Sequence, residues 1–362
     1  MRASNIENRC RHSGRRDLLT LITAFFVLLS SAAFAGDNSD SSTVKVQSEI
    51  SSAREGRDWI EKMSSAMQNL TYSGTFVYIH DREVESMRIF HSRMNGVEHE
   101  RLVSLNGEAR EIIRNADSVV CIWPGTKSVI VSKSQPRTPF PKFDPEQLSE
   151  LESLYRFSSI GRARVAGRQA EVIDITPLDS YRYGYRLWVD LENFLLLRSA
   201  MSDSSGDLVE QVMFTEVRFP ESMPLEVFSA STKGREHKWM ADNESGNGSA
   251  MTLDLAPVTG IPGILEMVLP DGFAQVSDKV TPVAGTDFAV RRLMYSDGLA
   301  SLSVFIVDAR DESAGGILHG ASSMGAVHAY GIMRDNWHAT VVGEVPLATV
   351  KMLGESILLA TQ

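Results

Sequence analysis

From Leu70 onward the chain is cut into short strand-like runs by turn residues, and this constrains its fold more tightly than any other feature. "SGTFVYIH", "EVESMRIFHSRM", "VEHERLVSL", "EAREIIRN", "SVVCIWPG" and "KSVIVSK" follow one another. Asn95-Gly96 and Asn106-Gly107 lie between consecutive runs, and Asn-Gly readily takes the positive φ that a two-residue hairpin needs. A proline-rich stretch, "QPRTPFPKFDP", and a short predicted helix in "EQLSELESLYRF" interrupt the series. It resumes with "SIGRARVAG", "RQAEVIDITPL", "YRYGYRLWVD", "FLLLRSAMS" and "LVEQVMFTEVRF". About ten consecutive antiparallel strands with few helices predict one large, strongly curved sheet or an open barrel.

Several runs carry bulky apolar groups on both parities: Phe76 and Tyr78 against Val77 and Ile79, and Val119, Cys121 and Trp123 against Val120 and Ile122. A sheet with one wet face would alternate cleanly, so this one is covered on both sides or wraps an apolar interior. Periodicity alone does not separate side chains that fill a core from side chains that line a cavity. In "YRYGYRLWVD", alternation puts Tyr181, Tyr183, Tyr185, Leu187 and Val189 on one face and Arg182, Gly184, Arg186, Trp188 and Asp190 on the other. Ahead of the strands, Trp59, Ile60, Met63, Met67 and Leu70 recur at helical spacing, predicting an amphipathic helix of about four turns from Arg54 whose apolar stripe reads as core.

The 362 residues exceed one average domain, so two folded units are expected. Residues 1–35 have the parts of a cleaved secretory signal: five arginines, the apolar run "LLTLITAFFVLL", and Ala33-x-Ala35. Residues 36–53, rich in Ser, Asp and Thr, read as an unstructured tether, and the large sheet unit is assigned to 54–230. Residues 231–251 are polar and rich in Gly, Ser and Asn, as an interdomain linker would be. A smaller α+β unit is expected over 252–362, with a hairpin turned at Asp297-Gly298, strands in "VHAYGIM" and "HATVVGEV", and a terminal helix opened by Pro346. That helix shows Leu347, Val350, Leu353 and Ile357 on one face.

The net charge is −10, and removing the basic signal, five Arg against Glu7 and Asp17, takes it to −13. An acidic body repels nucleic acid, so nucleic-acid binding is excluded. Cys10 lies in the signal, which leaves Cys121 and no intrachain disulfide. His80, His91, His99, His237, His319, His328 and His338 form no HxxxH or HxH pair, so neither a metal nor a cofactor is expected. His91 and His99 flank a hairpin turn and are close enough in sequence to meet across strands. The glycine-rich stretch 315–331 lacks both the Lys-Ser/Thr of a phosphate loop and a Gly-x-Ser-x-Gly elbow, and reads as a surface connection. No enzyme is indicated. The proline run reads as a stiff connector or as a flap over a cavity mouth, with Phe140 and Phe143 turned inward. What remains is binding of something long and apolar by burial, at about 25 cal/mol per Å².

"YRYGYRLWVDLENFLLLRSAMSDSSGDLVEQVMFTEV", "YSDGLASLSVFIVD" and "ATVVGEVP" resemble the RseB/MucB family of periplasmic regulators of an envelope-stress sigma factor, and the likeness covers nearly all of the mature chain. The resemblance implies an α+β protein: a large N-terminal antiparallel, unclosed β-barrel with helices in its concavity, similar to the lipoprotein carrier LolA, and a smaller C-terminal domain. It implies a periplasmic protein whose C-terminal domain binds the periplasmic part of a membrane-spanning, RseA/MucA-like anti-sigma factor. That binding would protect the partner from site-one proteolysis until lipid or lipopolysaccharide releases it. It favours the cavity reading, under which Trp59, Met63, Phe76, Tyr78, Trp123, Phe140, Phe143, Tyr183, Tyr185 and Leu187 are the candidate lipid-binding residues. Arg291 and Arg292 are the candidate contacts to the protein partner, with solvated strand ends as the plainer alternative. A lipid or lipoprotein carrier is the alternative function, and self-association is left open.

Overall fold

In the computed structural model the described residues are 39–80, 83–115, 118–132, 143, 148–230, 238–241, 261–282, 289–310 and 318–360. The expected signal, Phe140, the proline run and most of the expected linker lie outside them. Helix α1, Ser39–Asn69, begins well before Arg54, so residues 39–53 are helical rather than an open tether. Ser and Thr are indifferent helix formers, but extending a helix costs little once packed turns have nucleated it.

Twelve strands form the large sheet: β1 Tyr72–His80, β2 Glu83–Met94, β3 Val97–Ser104, β4 Glu111–Arg114, β5 Val119–Trp123, β6 Ser128–Ser132, β7 Tyr155–Val165, β8 Arg168–Pro177, β9 Gly184–Asp190, β10 Leu196–Ser202, β11 Leu208–Arg218 and β12 Lys238–Ala241. Their spatial order is β12-β6-β5-β4-β3-β2-β1-β11-β10-β9-β8-β7. Two meanders, β1 to β6 and β7 to β11, are therefore joined through the β1–β11 ladder, and the sheet stays open between β12 and β7. All neighbours are antiparallel except β12, a piece of the expected linker, which adds parallel to β6.

The turn chemistry explains part of this and corrects part of the expectation. Asn95 and Gly96 both take positive φ, 51° and 80°, and close the β2–β3 hairpin as two central residues should. Asn106 does not. Its side chain instead accepts from the Ser86 N–H at 2.6 Å and donates to the Val84 carbonyl at 2.7 Å, and β3 and β4 are joined by a longer loop. The predicted helix at 146–157 shrinks to one turn, α2 Leu148–Leu151. Tyr155 and Phe157 belong to β7 and alternate into the core, as a strand paired to β8 requires. Likewise β9 begins only at Gly184, so Tyr181 and Tyr183 do not extend its apolar face. From there Leu187 and Val189 point into the core, and Arg186 and Trp188 take the other side.

The large core is closed by α1. Its Ile60 and Met63 pack with Phe76, Ile89, Phe157, Ile173, Leu187 and Phe214 from the sheet. Each such side chain contributes roughly 1.5–3 kcal/mol on burial.

The second sheet contains β14 Ala274–Pro282, β15 Ala289–Ser296, β16 Ser301–Asp308, β17 Gly320–Met324, β18 Val327–Arg334 and β19 Trp337–Gly343, in the order β14-β15-β16-β19-β18-β17. A small pair, β13 Ile264–Glu266 with β20 Leu358–Leu359, lies beside it. Of the glycine-rich stretch, residues 320–331 thus belong to the β17–β18 hairpin rather than to a mere connection. Helix α3, Leu347–Ser356, follows Pro346 and buries Val350 and Leu353 with Val304, Ile306 and Val341. Leu347, expected on that face, stays 38% exposed, and Thr349 takes a buried place instead. Among the described residues no helix is long and apolar enough to cross a membrane.

Candidate functional site: the large sheet and its buried junction with the smaller unit

The sheet brings most of the predicted lipid-binding residues together, as packed side chains. Met63, Phe76, Phe143 and Leu187 are fully or almost fully buried members of the large core, and Trp59, Tyr78 and Tyr185 pack against it while keeping some exposure. Trp59 lies 5.4 Å from Phe194, ring to ring. Two residues stand elsewhere. Trp123 lines a shallow cavity of about 440 Å³ with Glu83, Glu85 and Arg110. Tyr183 packs with Met201 and with Ala326 of the β17–β18 turn.

On the outer face of β8, β9 and β10 a larger cavity, about 640 Å³, is lined by Tyr185, Arg186, Trp188, Arg198, Ser202 and neighbours. The Arg198 guanidinium lies 4.0 Å from the Trp188 ring centre, a cation–π contact. Its Nε and Nη2 both donate to Gln211 Oε1, at 3.1 and 2.5 Å. Burial, and then the nearby Arg186 charge, pull its pKa below the ordinary arginine value. Arg186 itself is paired bidentately with Asp174 at 2.6 and 2.8 Å.

The predicted partner contacts, Arg291 and Arg292, are consecutive on β15 and so point to opposite faces of the small sheet. Arg291 pairs with Asp278 at 2.9 and 2.7 Å and donates from Nη1 to the Ile261 carbonyl. Arg292 rests against Met294. His91 and His99 are not brought together. His99 is opposite Ser92, next to His91, so the two rings leave opposite faces. His91 stacks on Tyr72 and donates from Nδ1 to the Leu70 carbonyl at 2.7 Å. Among the described residues no group of His, Cys, Asp and Glu is arranged to hold a metal ion.

A buried polar cluster at the junction contains no residue named as a site candidate from the sequence. Arg182, just before β9, is completely buried. Its Nε donates to Asp297 Oδ2 at 2.5 Å, and its terminal nitrogens donate to the Asp179 carboxylate and the Asp271 carbonyl. The guanidinium lies between the rings of Phe273, 4.9 Å away, and Tyr155, 5.9 Å away. Tyr155 donates its hydroxyl to the same Asp297 Oδ2 at 3.0 Å. The other oxygen, Asp297 Oδ1, accepts the Leu299 and Ala300 N–H groups and so shapes the Asp297-Gly298 turn of the β15–β16 hairpin.

Burial works against the Arg182 charge, but Asp297 and Asp179 outweigh it and hold its pKa above the usual value. Burial and the adjacent Asp297 carboxylate push the Tyr155 hydroxyl far above an ordinary phenol, which keeps it a donor. Two flanking bonds join the same units: Glu210 of β11 accepts the Ala326 N–H at 3.1 Å, and Thr349 of α3 donates to the Tyr181 carbonyl at 3.1 Å. The local trace this cluster leaves in the sequence is Asp179, three residues before Arg182.

The profile of the MucB/RseB N-terminal domain matches residues 55–232, and that of the MucB/RseB C-terminal domain matches residues 266–358. The chain belongs to the MucB/RseB family. Among its relatives are the sigma-E factor regulatory protein RseB of Salmonella typhimurium, 29% identical over 82% of this chain and 89% of that protein, and the sigma factor AlgU regulatory protein MucB of Pseudomonas aeruginosa, 30% identical over 84% of this chain and 91% of that one. The structure of the Pseudomonas aeruginosa MucA/MucB complex superposes with a TM-score of 0.64 at 28% identity, covering 85% of this chain and all of that one. A second structure, MucB in complex with MucA(peri), gives 0.62 at 27% identity, covering 84% of this chain and 99% of that one. In family terms, Arg182 and Tyr155 sit in the N-terminal domain and Asp297 in the C-terminal domain, so the buried ion pair bridges the two.

Proposed function

We propose that this chain is a periplasmic sigma-factor regulator that binds the periplasmic part of a membrane-spanning anti-sigma factor, shields it from site-one proteolysis, and lets go when lipid or lipopolysaccharide binds. The observation that carries the reading is the match across both family domains to relatives named as sigma factor regulatory proteins, one of them solved in complex with MucA(peri). The fold is compatible with it. The large sheet offers an apolar interior capped by one helix, which an acyl chain enters by parting α1 from the strands, and Trp59, Tyr78 and Tyr185 stand at its margin. Met63, Phe76, Phe143 and Leu187 are the deeper part of the same proposed lipid site. The small unit presents Arg291 and Arg292 as proposed partner contacts, where Arg291 would trade its Asp278 pair for a carboxylate of the partner.

The test is direct. The purified chain is mixed with the periplasmic segment of an RseA/MucA-like anti-sigma factor, with and without added lipopolysaccharide, and the site-one protease is then supplied. Binding, protection of the segment, and loss of both on adding lipopolysaccharide are expected. Failure to bind the segment, together with retention of lipid through purification, would instead favour a lipid carrier.

A further inference from the structure

Tyr155 has its two ends in different units. Its ring belongs to the large apolar core beside Phe157 and Leu151, while its hydroxyl reaches out to Asp297 in the hairpin turn of the small sheet. Asp297 in turn divides its oxygens. Oδ2 takes both donors of the large unit, Tyr155 and Arg182, and Oδ1 holds the turn through Leu299 and Ala300. Leu299, whose N–H is one of those held, packs its side chain back onto the large core. One carboxylate therefore reads the position of a core side chain and sets the shape of a hairpin in the other unit.

We propose that Tyr155, Asp297 and Arg182 couple ligand occupancy of the large sheet to partner binding by the small unit; this rests on the lipid-release reading above. An acyl chain entering the core displaces the Tyr155 ring, and the hydroxyl then leaves Asp297. A buried carboxylate that loses a donor in a low-dielectric site reorients toward water, which withdraws Oδ1 from the Leu299 and Ala300 N–H groups and releases the turn. Closely packed units of this kind switch between discrete arrangements rather than deforming smoothly. Linkage makes the effect reciprocal, so bound partner weakens lipid binding by the same factor.

Tyr155→Phe removes the hydroxyl and keeps the ring. A labelled periplasmic segment of the anti-sigma factor is titrated with and without a C16 lysophosphatidylethanolamine probe. In the wild type, saturating probe weakens segment binding about tenfold or more. In Tyr155→Phe the hydroxyl is already absent from Asp297, so without probe the segment binds about tenfold or more weaker than to wild type, the probe alone binds at least as tightly as to wild type, and adding probe weakens segment binding by less than about threefold further. Full weakening in Tyr155→Phe overturns the coupling role and leaves lipid release intact. A wild type that shows no weakening overturns the lipid-release reading and the coupling with it. Amide hydrogen exchange of the wild type gives a second reading that needs no variant. The probe should speed exchange at Leu299 and Ala300 and leave Leu353 in α3 unchanged; unaltered exchange at Leu299 and Ala300 overturns the proposal.

Discussion

Arg182 and Asp297 stand 115 residues apart and meet in an ion pair with both side chains wholly buried, Nε to Oδ2 at 2.5 Å. Desolvating both groups costs several kcal/mol each, so such a pair adds little net stability but makes the loss of either partner expensive. Arg182→Leu leaves the Asp297 carboxylate facing apolar rings and is expected to destabilise the protein by about 3–5 kcal/mol. Adding Asp297→Asn removes the orphaned charge while keeping an oxygen for the Leu299 and Ala300 N–H groups, so the double variant should be more stable than Arg182→Leu alone. Urea unfolding of the three proteins measures this. Equal midpoints for wild type and Arg182→Leu would show that the pair holds nothing together.

Leu187 and Tyr183 come from one stretch of sequence but answer different questions when replaced. Leu187 is fully buried in the large core, so Leu187→Asp sets a carboxylate among Ile173, Val212 and their neighbours and is expected to abolish folding of the large sheet. Tyr183 packs on Met201 and Ala326, so Tyr183→Asp should loosen the junction between the units while leaving each sheet formed. Near-UV and far-UV circular dichroism separate the two: far-UV signal collapses for Leu187→Asp and persists for Tyr183→Asp. A native far-UV spectrum for Leu187→Asp would mean that the position tolerates opening to solvent.

Local chemistry carried most of the fold into the sequence. Alternation, the Asn95-Gly96 turn and the Asp297-Gly298 hairpin each act over a few residues, so the open antiparallel sheet, the β15–β16 pair and the terminal helix were legible. Strands β14 and β17 were not, because nearly all of their side chains are exposed and the few large apolar ones, Val276, Val280 and Met324, do not form an alternating apolar face. Tyr155 was hidden by an ambiguity of period: Leu148, Leu151 and Tyr155 fit a helical stripe, and only pairing with β8 makes Tyr155 and Phe157 a strand face. Arg182 was assigned by parity to the outer face of a strand that starts two residues later. A long-range ion pair leaves no local pattern, so neither Arg182 nor Asp297 announced its partner.

His338 predicts a pH dependence with a definite sign. Its Nε2 lies 2.6 Å from the Leu318 carbonyl and must carry the proton, and Nδ1 then accepts from Thr340 Oγ1 at 3.3 Å. Burial, with the neighbouring His319 adding to it, holds the ring's pKa below the ordinary value of 6.5 despite that carbonyl. The unfolded chain thus binds a proton at higher pH than the folded one. Stability contributed by this group is present above pH 6.5 and is lost as pH falls through 6.5 toward the lower folded value. His338→Gln retains an N–H donor and does not titrate, so its stability should fall less steeply between about pH 7 and pH 5. Parallel curves for the two proteins would remove His338 as the source.

Gly331 on β18 marks how closely the segment before β17 lies on the sheet. A Cβ built there would fall 1.8 Å from the Leu318 carbonyl oxygen and 3.0 Å from His338 Nε2. The first is backbone, and it is held by the His338 hydrogen bond, so it cannot swing aside as a side-chain tip would. Gly331→Ala must therefore push Leu318 off His338, combining overpacking of about 1–3 kcal/mol with the loss of a buried hydrogen bond. Gly125 is the control: a Cβ there meets nothing within 4 Å, and its φ lies outside the left-handed region. Gly125→Ala should be neutral or raise stability by a few tenths of a kcal/mol through the unfolded chain, about the lower end of the usual range. Thermal unfolding of both variants gives the comparison, and a wild-type midpoint for Gly331→Ala would mean that Leu318 yields without cost.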